Sequence, residues 1–168
     1  TRELYFETSK DGMKWTADHK LAGMKRPGDK NSGHYQISGQ QGDKVGFFFN
    51  WHPDGNVDLR TNIYYLQTTD MGKTWTTVDG KKVAVPVISI SSNTLVKEFF
   101  SQGKNVYIKD INFDENGHPV ALYLSGPGHQ PGPESGLRAW AVINWNGKIW
   151  ENRHVTTSDH NYDTGSMF

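Results

Sequence analysis

A chain of 168 residues with 35% hydrophobic content has room for one compact domain. Eighteen Lys and Arg balance eighteen Asp and Glu, so the basic footprint that a phosphate backbone attracts is missing and nucleic acid is not an expected partner. There is no Cys for a disulfide, a thiolate nucleophile or a Cys-based zinc site; no apolar run approaches the ~20 residues of a membrane span, and this stretch shows no signal-peptide pattern.

Abundant Gly and aromatic residues with few helix-forming runs give an all-β reading. In chain order, Leu4–Trp15 reads as a strand, a tight Gly turn and a Trp. His34–Ser38 and Val45–Phe49 read as paired strands, and Ile63–Trp75 repeats the first pattern. Asn93–Phe100 is the longest helix candidate and is too short to stand without tertiary support. Val106–Ile111 and Val120–Leu124 flank Asn116-Gly117, a strong hairpin signal because both residue types tolerate positive φ. Ala139–Trp150 repeats the pattern in degenerate form, and Tyr162–Phe168 reads as the strand that opens a further cycle.

Trp15, Trp75 and Trp150 fall 60 and then 75 residues apart, and the other strands recur in phase with them. Each cycle reads as an inner strand, a second strand, a hairpin and an outer strand after the Trp. Repeated four-stranded antiparallel sheets point to the blades of a β-propeller, ahead of a single β-sandwich. Closure takes ~4–8 blades. The expectation is therefore a fragment of about two and a half blades of a six- or seven-bladed propeller. Its divisions are residues 1–30 (end of one blade), 31–80 (second blade), 104–155 (third blade) and 156–168 (first strand of the next). Further blades of a parent chain are implied.

Thr68-Thr69-Asp70-Met71-Gly72-Lys73-Thr74-Trp75 closely resembles the Asp-box, or BNR repeat, Ser/Thr-x-Asp-x-Gly-x-Thr-Trp. Ser9–Trp15 resembles a variant one residue shorter, and Asn144–Trp150 keeps only the Gly and the Trp. The motif has a physical logic: Asp and Ser/Thr cap turn N–H groups, Gly supplies positive φ, and Trp packs between sheets. The resemblance implies a structural role for Asp11, Asp70, Trp15 and Trp75. More widely, Gly33–Tyr35, Arg60–Tyr65, Val106–Asp110 and Ser158–Asp163 resemble the BNR-repeat propellers grouped with sialidase-like proteins. Relatives of that group include polysaccharide lyases of ulvan-type uronate polymers and rhamnosidases. The resemblance implies a carbohydrate-active enzyme, extracellular or periplasmic, acting on a glycan.

Inner strands of a propeller line the central channel, so polar residues at their starts are the site candidates. Three sets recur in register: His34-Tyr35, Tyr107 with Lys109-Asp110, and His160-Asn161-Tyr162-Asp163. In the last set His160 suits a general base, Tyr162 a general acid, and Asn161 a hydrogen-bonding contact to the sugar. Catalysis is assigned to His160, Tyr162, His34 and Tyr35. Arg60 suits bidentate neutralisation of a carboxylate and Trp51 stacking on a sugar ring; His52, Asn161, Lys109 and His129 complete the substrate-binding set. Simple alternation places Tyr107 and Lys109 on one face of their strand and Asp110 on the other. No metal site is assigned; a divalent cation, Ca or Zn, would find donors in Asp110, Asp159, His160 and Asp163, without tight ligand spacing. The three-arginine cluster of sialidases is not met, since only Arg60 lies near a rim.

The reading is a glycan-cleaving fragment, lyase or glycoside hydrolase, acting on an acidic polysaccharide. The alternative is a non-catalytic glycan-binding or scaffold propeller.

Overall fold

The computed structural model describes residues 2–168. Among the described residues ten strands occur: β1 (Leu4–Phe6), β2 (His19–Ala22), β3 (Gln36–Gln41), β4 (Lys44–Trp51), β5 (Thr61–Thr68), β6 (Leu95–Lys97), β7 (Lys104–Phe113), β8 (Pro119–Pro127), β9 (Arg138–Trp145) and β10 (Trp150–Ser158). They form one two-stranded sheet, β1-β2, and two four-stranded sheets, β3-β4-β5-β6 and β7-β8-β9-β10. Every pairing between these strands is antiparallel and joins neighbours in sequence. The fold is all-β, and among the described residues no helix is long and apolar enough to cross a membrane.

Period-two alternation explains the layering. Along β5, Ile63 and Tyr65 enter one core while Tyr64 and Leu66 enter the next. Along β8, Ala121 and Tyr123 face the second sheet, while Leu122 and Leu124 face a third cluster with Trp140. Both faces of these strands are therefore buried. That accounts for near-continuous apolar runs such as Phe47-Phe48-Phe49 on β4. The inner strands β3 and β7 lie side by side: a Cβ on Gly39 would stand 3.1 Å from Ile111 Cγ2.

The Asp-box turns are capped as their residues dictate. Thr68 Oγ1 accepts the Gly72 N–H at 3.0 Å, and Asp70 accepts from the Thr74 N–H (2.9 Å) and hydroxyl (2.7 Å). These donors hold the Asp70 carboxyl at about 2. Ser9 and Asp11 cap the shorter turn in the same way, and Asn146 Oδ1 receives the N–H groups of Lys148 and Ile149 in the degenerate one. Trp75 packs on Phe6 and Phe47, and Trp150 on Phe48 and Tyr65, so each reaches the preceding sheet.

Four expectations change. The outer strand of the second cycle is β6, beyond residue 80 rather than directly after Trp75, and the intervening chain brings Val87 alongside Leu21 and Gly23 of the first sheet's edge. Tyr162–Phe168 forms no strand; it crosses the open face of the third sheet, with the Met167 N–H donating to Asp110 Oδ2 at 2.7 Å. Finally, β7 carries a bulge between Ile108 and Asp110, opposite consecutive residues Tyr123 and Leu122. The extra residue resets the alternation, so Asp110 falls on the same face as Tyr107. The helix candidate Asn93–Phe100 resolves into β6 and the start of a single 3-10 turn, Phe100–Gln102.

Candidate functional site

At the starts of the inner strands lies a cleft of about 240 Å³ lined by Tyr35, Gln36, Ile37, Asn50, Arg60, Tyr107, Ile108, Lys109 and Tyr162. Local backbone pairing places these groups. Gly33–Tyr35 runs beside Asn50–His52 and Arg2, through His52 N–H to Gly33 O (2.8 Å), Asn50 N–H to Tyr35 O (3.0 Å) and His34 N–H to Arg2 O (2.9 Å). Arg60 ends the β4–β5 loop, and its carbonyl accepts the Val106 N–H of β7 at 2.9 Å, tying one sheet's loop to the next sheet's inner strand.

The cleft is cationic and phenolic. The Arg60 guanidinium carbon lies 4.9 Å from the Tyr35 ring centroid and 4.6 Å from that of Tyr107, between the two rings. Arg2 donates to the Tyr35 hydroxyl and also lies over that ring. The Lys109 ammonium stands 5.8 Å from the Tyr107 ring and donates to the Asn161 carbonyl at 2.9 Å. Burial pushes the Lys109 ammonium below its usual range; Asp163 opposes that shift and Arg60 adds to it. No Asp or Glu lines the cleft among the described residues.

Of the expected catalytic residues, Tyr35 and the exposed Tyr162 line this cleft, as do the binding candidates Arg60 and Lys109. His160 stands beside them. Its Nδ1 accepts the Tyr162 N–H at 3.1 Å, which leaves the proton on Nε2, and its ring centroid is 5.9 Å from that of Tyr162.

The other expected residues take different places. His34 is a core histidine, not a base: Nδ1 pairs with Asn50 O at 2.8 Å, and Nε2 accepts the Met24 N–H at 3.1 Å. Burial lowers its pKa to about 4, partly offset by the bond to Asn50. His52 is buried with neither ring nitrogen bonded, edge-on to Tyr35 at 4.8 Å, so it backs the Tyr35 ring and does not reach a ligand. Burial, then the nearby His34, Arg60 and Arg2, lower it to about 3. Trp51 cannot stack on a sugar because it is fully buried between Arg26 and Phe100. Asn161 is buried behind the cleft and donates to the Tyr107 hydroxyl and the His129 carbonyl, both at 2.9 Å. The His129 imidazole lies outside the lining, 3.8 Å from Asp58 Oδ2.

Two groups escaped the site assignment. Arg2 precedes the first recognisable strand and carries no pattern. Asn50 reads as strand interior, yet its Oδ1 accepts the Tyr35 N–H at 2.9 Å and its amide donates to Val106 O at 3.2 Å. Among the described residues no three His, Asp or Glu gather as a metal set. Asp110 accepts from Met167, and Asp163 from the Ser158 hydroxyl.

A larger concavity of about 1000 Å³ lies at the Asp-box edge, lined by Trp15, Lys14, Lys73 and Phe6 among others. Its one distinctive carboxylate, Asp11, is occupied by turn N–H groups, so the smaller cleft is the better candidate.

No curated protein matches the chain. Among solved structures, it is similar to a polysaccharide lyase described as a PL25 ulvan lyase, with a TM-score of 0.71 at 17% identity over 89% of this chain and 37% of that one. A structure of a PL25 ulvan lyase bound to -[GlcA(1-4)Rha3S]- gives 0.72 at 18% identity, over 89% and 37% of the two chains. A further polysaccharide lyase gives 0.66 at 14% identity over 91% and 35%. The chain thus spans little more than a third of the length of these structures, and the likeness is one of fold. The family described as BNR repeat-containing matches residues 1–158. With its capped Asp-box turns in phase with its sheets, the chain belongs to the BNR repeat-containing family.

Proposed function

We propose that the sheets are blades of a larger β-propeller, and that the cleft at the inner strands binds an acidic polysaccharide and cleaves it by β-elimination. The observation that carries this reading is the lining itself: Arg60 and Lys109 with Tyr35, Tyr107 and Tyr162, and no carboxylate among the described residues. Elimination from a uronate needs a cation against the carboxylate, a base for the C5 proton and an acid for the leaving C4 oxygen. The C5–H and C4–O bonds break as the C4=C5 bond forms. Arg60 and Lys109 supply the cations. Tyr35, reacting as its phenolate, takes the C5 proton and becomes the phenol, with the Arg2 guanidinium donating to its oxygen. Tyr162 protonates the leaving oxygen, and His160 Nδ1 holds the Tyr162 backbone N–H in place. A glycosidase would instead need paired carboxylates ~5–9 Å apart. The sulfated rhamnose–glucuronate repeat bound in the similar structure suggests the class of glycan. That reading also fits an extracellular or periplasmic setting.

The burial of His34 and His52 favours a second reading, in which the same cleft binds an acidic glycan without cleaving it. Two assays on the full-length protein with acidic polysaccharides separate the readings. Ultraviolet absorbance of unsaturated uronate rising together with reducing ends supports elimination. Reducing ends alone mean hydrolysis, and binding without either signal means the non-catalytic reading.

A further inference from the structure

Arg138, the first residue of β9, is 1% exposed and meets no carboxylate among the described residues. Its guanidinium is instead enclosed by backbone carbonyls. Nη1 donates to Gly132 (2.9 Å), Gly136 (3.1 Å) and Asp159 (3.1 Å), and Nη2 to Gln130 (2.7 Å). Burying a cation without a counter-ion is costly, and a site that needed only packing would be served by Met or Leu. What Arg offers is a rigid planar fork of donors that can fix separate backbone segments at once.

The segments it joins are the long β8–β9 loop and the chain after β10. The loop has positive φ at Gly128, Gly132 and Gly136, and its carbonyls are claimed by side chains. Asn105 takes Gly128 O (3.0 Å), Asn161 takes His129 O, and Arg138 takes three others. β8 makes room where Arg138 crosses it: a Cβ on Gly126 would stand 2.6 Å from Arg138 Cγ. Asn161, two residues past Asp159, is the link to the cleft, since its amide holds the Tyr107 hydroxyl and its carbonyl holds the Lys109 ammonium.

We propose that Arg138 is a positioning residue of the cleft: by binding the 130–136 carbonyls and Asp159 together, it sets Asn161 and, through it, Tyr107 and Lys109. The inference rests on the proposed function only in taking that cleft as the working site.

The test uses Arg138→Ala and Arg138→Lys in the full-length protein, with two readouts. The first is amide hydrogen exchange over residues 128–136 and 159–163. The second is affinity for an oligosaccharide of glucuronate and sulfated rhamnose. Arg138→Ala is expected to speed exchange in both segments and weaken binding by about tenfold each, the scale of a lost charged hydrogen-bond set, while β4 and β5 amides stay unchanged. Added ethylguanidinium should restore both readouts and propylammonium neither, a geometric specificity that mere space-filling would not show. Arg138→Lys keeps charge and length, so it carries the same readouts if the Ala variant does not fold, and it should be impaired in both. Unchanged exchange in the two segments, or Arg138→Lys equal to the parent in both readouts, would overturn the proposal. Guanidinium-rescued exchange in a protein that binds no such oligosaccharide supports the positioning role and rejects only the glycan reading.

Discussion

The two edges of the same sheets handle polar groups in opposite ways. At the Asp-box edge the motif carboxylates are committed to their turns: Asp70 is met by Thr74 through both backbone and side chain, and Asp11 Oδ1 by two turn N–H groups. At the inner-strand edge the cations are under-used. The Arg60 guanidinium makes one hydrogen bond among the described residues, to Val57 O, and otherwise lies between tyrosine rings; Lys109 is half-buried with one carbonyl partner. An oxygen already committed to a turn has less to offer a ligand, whereas a partly desolvated cation with spare donors gains from meeting an anion. The difference separates scaffold from candidate site more reliably than conspicuous motifs do.

The strongest way to break this division is at the scaffold edge. Trp75→Ala removes a side chain that is 3% exposed between Phe6 and Phe47, and should cost about 3–5 kcal/mol in denaturant unfolding. At the other edge, Arg60→Ala should leave unfolding nearly unchanged and reduce turnover of an acidic polysaccharide by about 10²-fold, or ~3 kcal/mol. A large loss of stability from Arg60→Ala, or none from Trp75→Ala, would erase the distinction.

A third effect comes from the histidines that do not serve the cleft. His34 and His52 are held neutral, near 4 and 3, against an unfolded value of about 6.5. The unfolded chain therefore binds more protons as pH falls below about 6.5. Stability is full above that pH and declines toward pH 4, by at most ~1.4 kcal/mol per pH unit for each histidine. His52→Phe should flatten the decline by about half, because one of two such groups is gone; urea midpoints measured across this range would show it.

The smallest expected effect tests the propeller itself. Trp15 occupies the Asp-box position of Trp75 but is 59% exposed, with no preceding sheet against it among the described residues. In the 168-residue chain Trp15→Ala should cost less than ~1 kcal/mol. A cost approaching that of Trp75→Ala in a longer parent would mean that a further blade covers it.

Much of the architecture was legible because alternation and turn chemistry are local. The Asp-box turns, the Asn116-Gly117 hairpin and the strands around Phe48, Tyr65 and Tyr123 follow from short-range rules. The site was legible only in part: Tyr35 just before β3, Lys109 within β7 and Tyr162 beyond β10 line one cleft, although Tyr162 opens no strand. What escaped depends on partners far along the chain. Nothing near His34 announces that Met24 and Asn50 occupy both its nitrogens, and nothing near Trp51 announces Arg26 and Phe100. The bulge in β7 defeated the alternation argument for Asp110, because one extra residue reverses every side chain after it. Nothing in the sequence marks Arg138, since its partners are backbone carbonyls.

The most direct test of the central claim is a paired assay of the full-length protein and its Arg60→Ala variant on a sulfated rhamnose–glucuronate polysaccharide. Unsaturated uronate absorbance and reducing ends are followed together. The account predicts that both signals rise in the parent and nearly vanish in the variant. Equal activity in the two proteins, or reducing ends appearing without unsaturated uronate, would contradict it.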